Sequence, residues 1–167
     1  MQLGHSQNAK MIAVDRKPLQ AGSFARIDLL GYVDTSQSDL TETVNQITGG
    51  KGVDVTFDCV GGELFEPVLS TLRQLGRHVA ITSVGTRRVS FDLLDFYHRR
   101  LTMFGVDSLA INVTEGASLL ASLVPLFEAK LLKPSTIAKR GSLDEARELY
   151  SFVAAGNPGK AVFVNSM

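Results

Sequence analysis

The chain has 167 residues, 44% apolar and 20% charged, enough for one domain with a sizeable core. Lysine plus arginine matches aspartate plus glutamate at 17 each, so no net field favours nucleic acid or an anionic membrane. A lone cysteine, Cys59, excludes an internal disulfide and a multi-cysteine metal cluster and fits a reducing compartment. The opening MQLGHSQNAK lacks an apolar core of signal-peptide length, and no run approaches about 18 apolar residues, so the expected setting is soluble and cytoplasmic.

In chain order, KMIAV reads as a strand and LQAGSFARIDLL as a helix, with Gly31 where a helix C-terminus often sits. YVDT is a brief strand. SDLTETVNQIT is a helix with Ser38 as its expected N-cap and Gly49-Gly50 as its stop. GVDVTFDCV alternates apolar Val53, Val55, Phe57 and Cys59 with polar Asp54, Thr56 and Asp58, the period of a strand. FEPVLSTLRQL is a helix that tolerates Pro67 only in its first turn. RHVAITSV is a strand, FDLLDFYHRR a helix and LTMFGV a strand. TEGASLLASLVPLFEAKLL is a long helix that Pro125 should kink or break.

This β-α-β-α order with nearly continuous apolar strands predicts a parallel sheet covered by helices on both faces. Beyond Pro134 the order changes. STIAKR is a candidate strand, SLDEARELYSFVAAG a helix and KAVFVNS a terminal strand. Ser142 and Glu145 form an S-x-x-E capping box where that helix should begin.

In doubly wound sheets a ligand lies outside the carboxyl ends of the strands. Those ends read Asp15-Arg16-Lys17, Asp34-Thr35, Val60-Gly61-Gly62, Thr82-Ser83-Val84-Gly85 and Val106-Asp107-Ser108. Small and hydroxyl-bearing residues there suit a flat cofactor passing close to backbone. Asp15 would accept hydrogen bonds from ribose hydroxyls and repel a 2′-phosphate, which favours NAD. Arg16 and Lys17 pull toward NADP, because cations there pair with the extra phosphate. A bland reading stands beside each: Asp15 as a carboxylate before a turn, Gly61-Gly62 as turn geometry, and TSVGT as ordinary turn formers. Cys59 is expected to be a buried, inert thiol. The pairs Arg87-Arg88 and Arg99-Arg100 are expected to be solvated, as is His98. His5, His78 and His98 show no metal-ligand spacing. No catalytic constellation can be picked out.

TGGKGVDVTFDCVGGELFEPVLSTLRQLGRHVAITS resembles the medium-chain dehydrogenase/reductase family, nearest its quinone-oxidoreductase (zeta-crystallin-like) and zinc-type alcohol dehydrogenase-like branch. The likeness continues through FDLLDFYHRRLTMFGVDS, LVPLFEAKLLKP, LDEARELY and GNPGKAVFV, and spans nearly the whole chain from about Lys10. It implies an α/β fold, a Rossmann-like doubly wound parallel sheet, here lacking the first strand and glycine-rich loop and followed by a C-terminal return segment. Residues 1–134 would be a partial NAD(P)-binding domain and 135–167 a part of the family's catalytic domain. The fingerprint loop should lie about 20 residues before Asp15, so the chain is expected to begin downstream of it, with MQLG as the tail of the following helix.

Carried over residue by residue, the resemblance puts Asp15, Arg16 and Lys17 at the adenosine ribose or its 2′-phosphate and Thr35 near the adenine pocket. Val60 and Gly61 fall at the turn under the adenosine half. Ile81, Thr82 and Ser83 fall beside the nicotinamide ribose, although many relatives carry glycine where this chain has Thr82. Val106, Asp107 and Ser108 fall where backbone meets the nicotinamide carboxamide, Asp107 replacing a commoner neutral residue. No catalytic residue and no zinc ligand carries over.

The implied function is part of an NAD(P)H-dependent oxidoreductase acting on a quinone, enone or other carbonyl compound, inactive alone, and homodimeric through the LTMFGVDS edge. The alternative is a non-catalytic Rossmann-type binding or dimerisation module. Absence of the central first strand implies that the KMIAV and VDVTFDCV strands either pair directly or each leave an open edge.

Overall fold

The structure, a computed structural model, describes residues 1–18 and 27–165. The fold divides into two compact units, residues 1–124 and 125–167. In the first, helix α1 (Gln2–Ser6) leads into β1 (Met11–Asp15), β2 (Leu29–Asp34) and α2 (Leu40–Thr48). Then follow β3 (Val53–Asp58), α3 (Phe65–Ser70), β4 (Leu72–Ala80), α4 (Leu93–His98) and β5 (Thr102–Gly105). Helix α5 (Val113–Glu128) runs across the division. The second unit is a βαβ arrangement of its own, with β6 (Ile137–Gly141), α6 (Ala146–Ala154) and β7 (Lys160–Phe163), the two strands parallel.

Among the described residues every strand pair is parallel, as the alternating pattern predicts. In the first unit β1 pairs with β2, Asp15 opposite Asp34. A second sheet has the order β3-β4-β5, with Phe57, Val79 and Phe104 in one row. Among the described residues β1 and β3 do not pair with each other, so each leaves one edge open, the second of the two outcomes expected.

Two apolar clusters hold these layers. Val33, Leu40 and Val44 pack with Ile12, Ile47, Val53 and Val68. Phe65, Leu69, Leu72 and Leu101 pack with Val53, Phe91 and Phe96. Val53 belongs to both clusters and so ties the β1-β2 layer to the β3-β4-β5 layer. Each fully buried apolar side chain in these clusters contributes about 1.5–3 kcal/mol.

Several local expectations are corrected. Leu29, Leu30 and Gly31 belong to β2 rather than to the tail of a helix, Ile27 and Asp28 before them are not helical, and residues 19–26 of that expected helix lie outside the described residues. At Gly31 an added Cβ would lie 2.5 Å from Ile47 Cδ1, so the glycine admits α2 against the strand. The N-cap of α2 is Asp39, not Ser38: its carboxylate accepts the Glu42 N–H at 2.8 Å. Ser38 instead donates its hydroxyl to the Asp34 carbonyl. Strand β4 starts at Leu72, within the expected helix, and stops at Ala80, before Ile81. A register shift separates Val53↔Leu72 from Val55↔Arg77, and regular pairing begins where the sequence pattern put the strand. Pro67 does sit in the first turn of α3, and α5 continues through Pro125 without a break.

Strand β3 turns its pattern inside out. Thr56 and Asp58 are buried, whereas Val55 is 43% and Phe57 64% exposed. The face with Phe65 and Leu69 covers the polar side, and the apolar row through Phe57 and Phe104 remains open.

Loss of the α2 cap should be measurable by denaturant unfolding. Asp39→Ala is expected to cost about 0.5–2 kcal/mol. Ser38→Ala is expected to cost less than about 0.5 kcal/mol. The reverse order would restore Ser38 as the cap.

Candidate functional site

The exit of β3 is built around one carboxylate. Asp58 Oδ1 accepts the backbone N–H groups of Val60 (2.9 Å) and Gly61 (2.8 Å), closing a tight turn directly after the strand. Gly61 and Gly62 have φ of +63° and +57°, a region that side chains rarely enter. Space demands glycine as well: a Cβ on Gly61 would lie 2.7 Å from the Thr82 carbonyl oxygen, and one on Gly62 2.6 Å from that of Val84. The exits of β3 and β4 thus meet backbone to backbone. Ile81 N–H donates to the Asp58 carbonyl and Val84 N–H to the Val60 carbonyl at 2.7 Å.

The exit of β5 lies on the other side of β4, with Val106 N–H donating to the Ala80 carbonyl at 2.9 Å. Asp107 turns its carboxylate to the Leu109 N–H, and Ser83 Oγ donates to the Thr86 carbonyl. These contacts place Val60, Gly61, Ile81, Thr82, Ser83 and Val106 along one edge, with Asp107 and Ser108 following directly.

A second group forms at the exits of β1 and β2. Thr35 N–H donates to the Asp15 carbonyl at 2.8 Å, and Asp15 Oδ1 accepts the Arg16 N–H at 2.7 Å. The side chains of Asp15, Arg16 and Lys17 are exposed, and Thr35 is half-buried. Tyr32, not singled out in the sequence, donates its hydroxyl to the Lys17 carbonyl at 2.7 Å and so anchors this segment to β2. Desolvation, then the Asp15 and Asp34 carboxylates, hold that phenol above its ordinary pKa.

Beneath the β3 turn lies a second residue that sequence reasoning missed. His78 has no exposed surface, and its Nδ1 lies 2.9 Å from Thr56 Oγ1. Its Nε2 faces Asp58 Oδ2 at 3.9 Å, and Phe65 meets the ring edge-on. Burial pushes the His78 pKa below its ordinary value, and the Asp58 carboxylate opposes that shift in part. The signal for Asp58 was available: an aspartate three residues before a glycine pair is an Asx-turn former. Nothing in local spacing marks His78 as buried.

Two expectations about reactive or charged groups fail. Cys59 lies one residue beyond the end of β3 and is exposed, as are Val55 and Phe57 at the alternate positions before it. Arg99 is not a solvated cation: it pairs with Asp95 and donates to the Leu72 carbonyl, fastening α4 to the start of β4. Arg87, Arg88 and His98 are exposed, as expected. A shallow cleft of about 680 Å³ opens at the opposite, N-terminal ends of these strands, near Lys51, Arg73 and Arg99. Arg73 is paired with Asp54 and Arg99 with Asp95, so those charges are committed to the fold and the strand exits remain the candidate site. Among the described residues no group of three His, Cys, Asp or Glu side chains could hold a metal ion.

Parallel strands with a glycine turn, hydroxyl residues and a carboxylate at their exits define a dinucleotide-binding type of fold. Residues 1–122 match the family model of the zinc-binding dehydrogenases, and the chain belongs to that family, a branch of the medium-chain dehydrogenases/reductases. A zinc-type alcohol dehydrogenase-like protein of Schizosaccharomyces pombe is 30% identical over 156 residues, 89% of this chain and 43% of that protein. The crystal structure of 2-haloacrylate reductase superposes with a TM-score of 0.85 at 23% identity, over 99% of this chain and 53% of that one. Escherichia coli quinone oxidoreductase, solved with NADPH, superposes with a TM-score of 0.78 at 20% identity, covering 98% and 52%. The chain therefore spans about half the length of the relatives it matches.

Two outcomes follow from this geometry. Gly61→Ala combines a positive φ with a backbone clash and should destabilise the fold by about 1–3 kcal/mol in denaturant unfolding. For His78 the folded protein favours the neutral ring, so on acidification the unfolded chain takes up that proton first. The stabilisation is complete above the ordinary histidine value of about 6.5 and is lost as pH falls below it, by up to about 1.4 kcal/mol per pH unit. His78→Leu should flatten the stability–pH curve just below that value; an unchanged slope would contradict a neutral buried ring.

Proposed function

We propose that this chain supplies the dinucleotide-binding part of an NAD(P)H-dependent oxidoreductase acting on a quinone, enone or other carbonyl compound. The observation that carries the reading is the seam of the Val60-Gly61-Gly62 turn against Thr82–Val84. It supports a flat ligand lying across bare backbone at the exits of β3, β4 and β5.

The residues fit the two ends of such a cofactor. Asp15, exposed at the β1 exit, would accept the adenosine ribose hydroxyls, with Thr35 next to it toward the adenine. Val60 and Gly61 would lie under the adenosine half. Ile81, Thr82 and Ser83 would flank the nicotinamide ribose, and the backbone of Val106 to Ser108 would meet the carboxamide. When bound, a nicotinamide dinucleotide supplies the hydride, and the protein supplies position and electrostatics. In our reading Asp15 tilts the choice to NAD, while Arg16 and Lys17 leave a route to the 2′-phosphate. Residues 1–134 form the dinucleotide part, and 135–167 belong with the family's catalytic part. This sequence holds no G-x-G-x-x-G loop for the pyrophosphate, and charge-assisted contacts of that kind are worth roughly 1.5–3 kcal/mol each. The polypeptide alone is therefore read as lacking reductase activity.

A non-catalytic module is the second reading, and the open side of β5 favours it. That strand pairs only with β4 among the described residues, and Met103 and Phe104 are exposed on it. A second copy pairing there would make a homodimer.

Calorimetric titration tests the first reading. NADH should bind this chain more weakly than about micromolar but more tightly than NADPH, and Asp15→Asn should narrow that preference by on the order of tenfold. Micromolar affinity would show the phosphate loop to be dispensable. NADPH preferred by the wild type would reverse the role given to Asp15.

A further inference from the structure

Among the described residues two buried side-chain polar atoms have no hydrogen-bond partner, Asp58 Oδ2 and His78 Nε2, and they face each other at 3.9 Å. Polar atoms withdrawn from water are rarely left so, and each such case calls for a role. Both residues are almost fully buried, at 4% and 0% exposure. Their other polar atoms are engaged: Asp58 Oδ1 with the Val60 and Gly61 N–H groups, His78 Nδ1 with the Thr56 hydroxyl.

We infer that Thr56, His78 and Asp58 form a buried positioning relay that sets the Val60-Gly61 turn. The proton inventory supports one arrangement. A carboxylate only accepts, so the nitrogen turned toward it, Nε2, carries hydrogen. In the neutral ring Nδ1 is then bare, and the Thr56 hydroxyl donates to it. Thr56 thereby selects the tautomer, His78 aims an N–H dipole at Oδ2, and the carboxylate is held with Oδ1 toward the turn. At 3.9 Å the Nε2–Oδ2 contact orients by electrostatics rather than as a hydrogen bond. Among the described residues Asp58 is the one charged group that faces the ring; from α3 Phe65 meets it in a T-shaped contact. Filling space alone would need only an apolar side chain at this position. That turn also underlies the proposed adenosine site, so the functional part of the inference rests on the dinucleotide reading, while the relay itself does not.

The test is long-range proton–nitrogen NMR of the imidazole together with the backbone amides of the whole chain. The wild type at neutral pH should show Nε2 protonated and Nδ1 bare. Thr56→Val, nearly isosteric, should release the tautomer into a mixture and shift the Val60 and Gly61 amides while leaving β6 and β7 unmoved; Thr56→Ser should restore both signals. His78→Leu should shift the same two amides. If that variant fails to fold, the threonine pair alone decides the matter. A wild-type ring protonated on Nδ1, or Val60 and Gly61 amides that stay fixed in Thr56→Val, overturns the relay. Adding NADH to the wild type separates the two claims. Amide shifts at Val60 and Gly61 support the placement of the relay under the cofactor. Their absence removes that placement and leaves the tautomer and variant spectra to judge the relay.

Discussion

Parallel pairing from Val55 opposite Arg77 to Asp58 opposite Ala80 brings two strand exits side by side, and the candidate site depends on that alignment. Because both strands run the same way, both chains must turn away at the same edge. One turns through Gly61 and Gly62, and the other passes within van der Waals reach of them at Thr82–Val84. β5 extends the edge by one strand, with Val106 bonded to Ala80. A one-residue slip in this register would reverse which side chains of β3 face α3 and would separate Asp58 from His78.

The two sheets of the first unit are joined by side chains rather than by a backbone ladder. Val53, at the start of β3, packs in the cluster of Val33, Leu40 and Val44 and also in that of Phe65, Leu69 and Leu72. Among the described residues β1 and β3 each keep an open edge of N–H and C=O groups, a template for further pairing. Beside those edges Phe57 and Phe104 are exposed on a face that a parallel sheet covered on both sides would bury.

Much of this was legible in the sequence. Alternating helical and strand periods gave the parallel class, and helix stops at Gly49-Gly50 and the capping box at Ser142 and Glu145 are present as read. The misreadings have local physical causes. Leu29-Leu30 sits next to a segment of helical spacing, and only pairing with β1 reveals it as strand. Ser38 and Asp39 are adjacent capping types, and the start of the helix decides between them. In β3 the pattern gave the strand but not its facing: the polar residues turn inward, where Asp58 accepts the N–H groups of the turn and His78 lies beside it as a polar neighbour. Of the candidate site, the strand exits could be named from sequence because topology alone puts them on one edge. Tyr32 and His78 could not, since their partners, Lys17 and the Thr56–Asp58 pair, are brought to them only by strand pairing.

The proposed reading lays a dinucleotide across β3, β4 and β5 with its ribose at Asp15, in keeping with membership of the zinc-binding dehydrogenase family. Chemical-shift mapping with NADH at millimolar concentration addresses that reading most directly. The account predicts concerted movement of the Arg16, Gly61, Thr82 and Val106 amides, with those of β6 and β7 unchanged. Shifts confined to the cleft around Lys51 and Arg73, or no shifts at all, would contradict it.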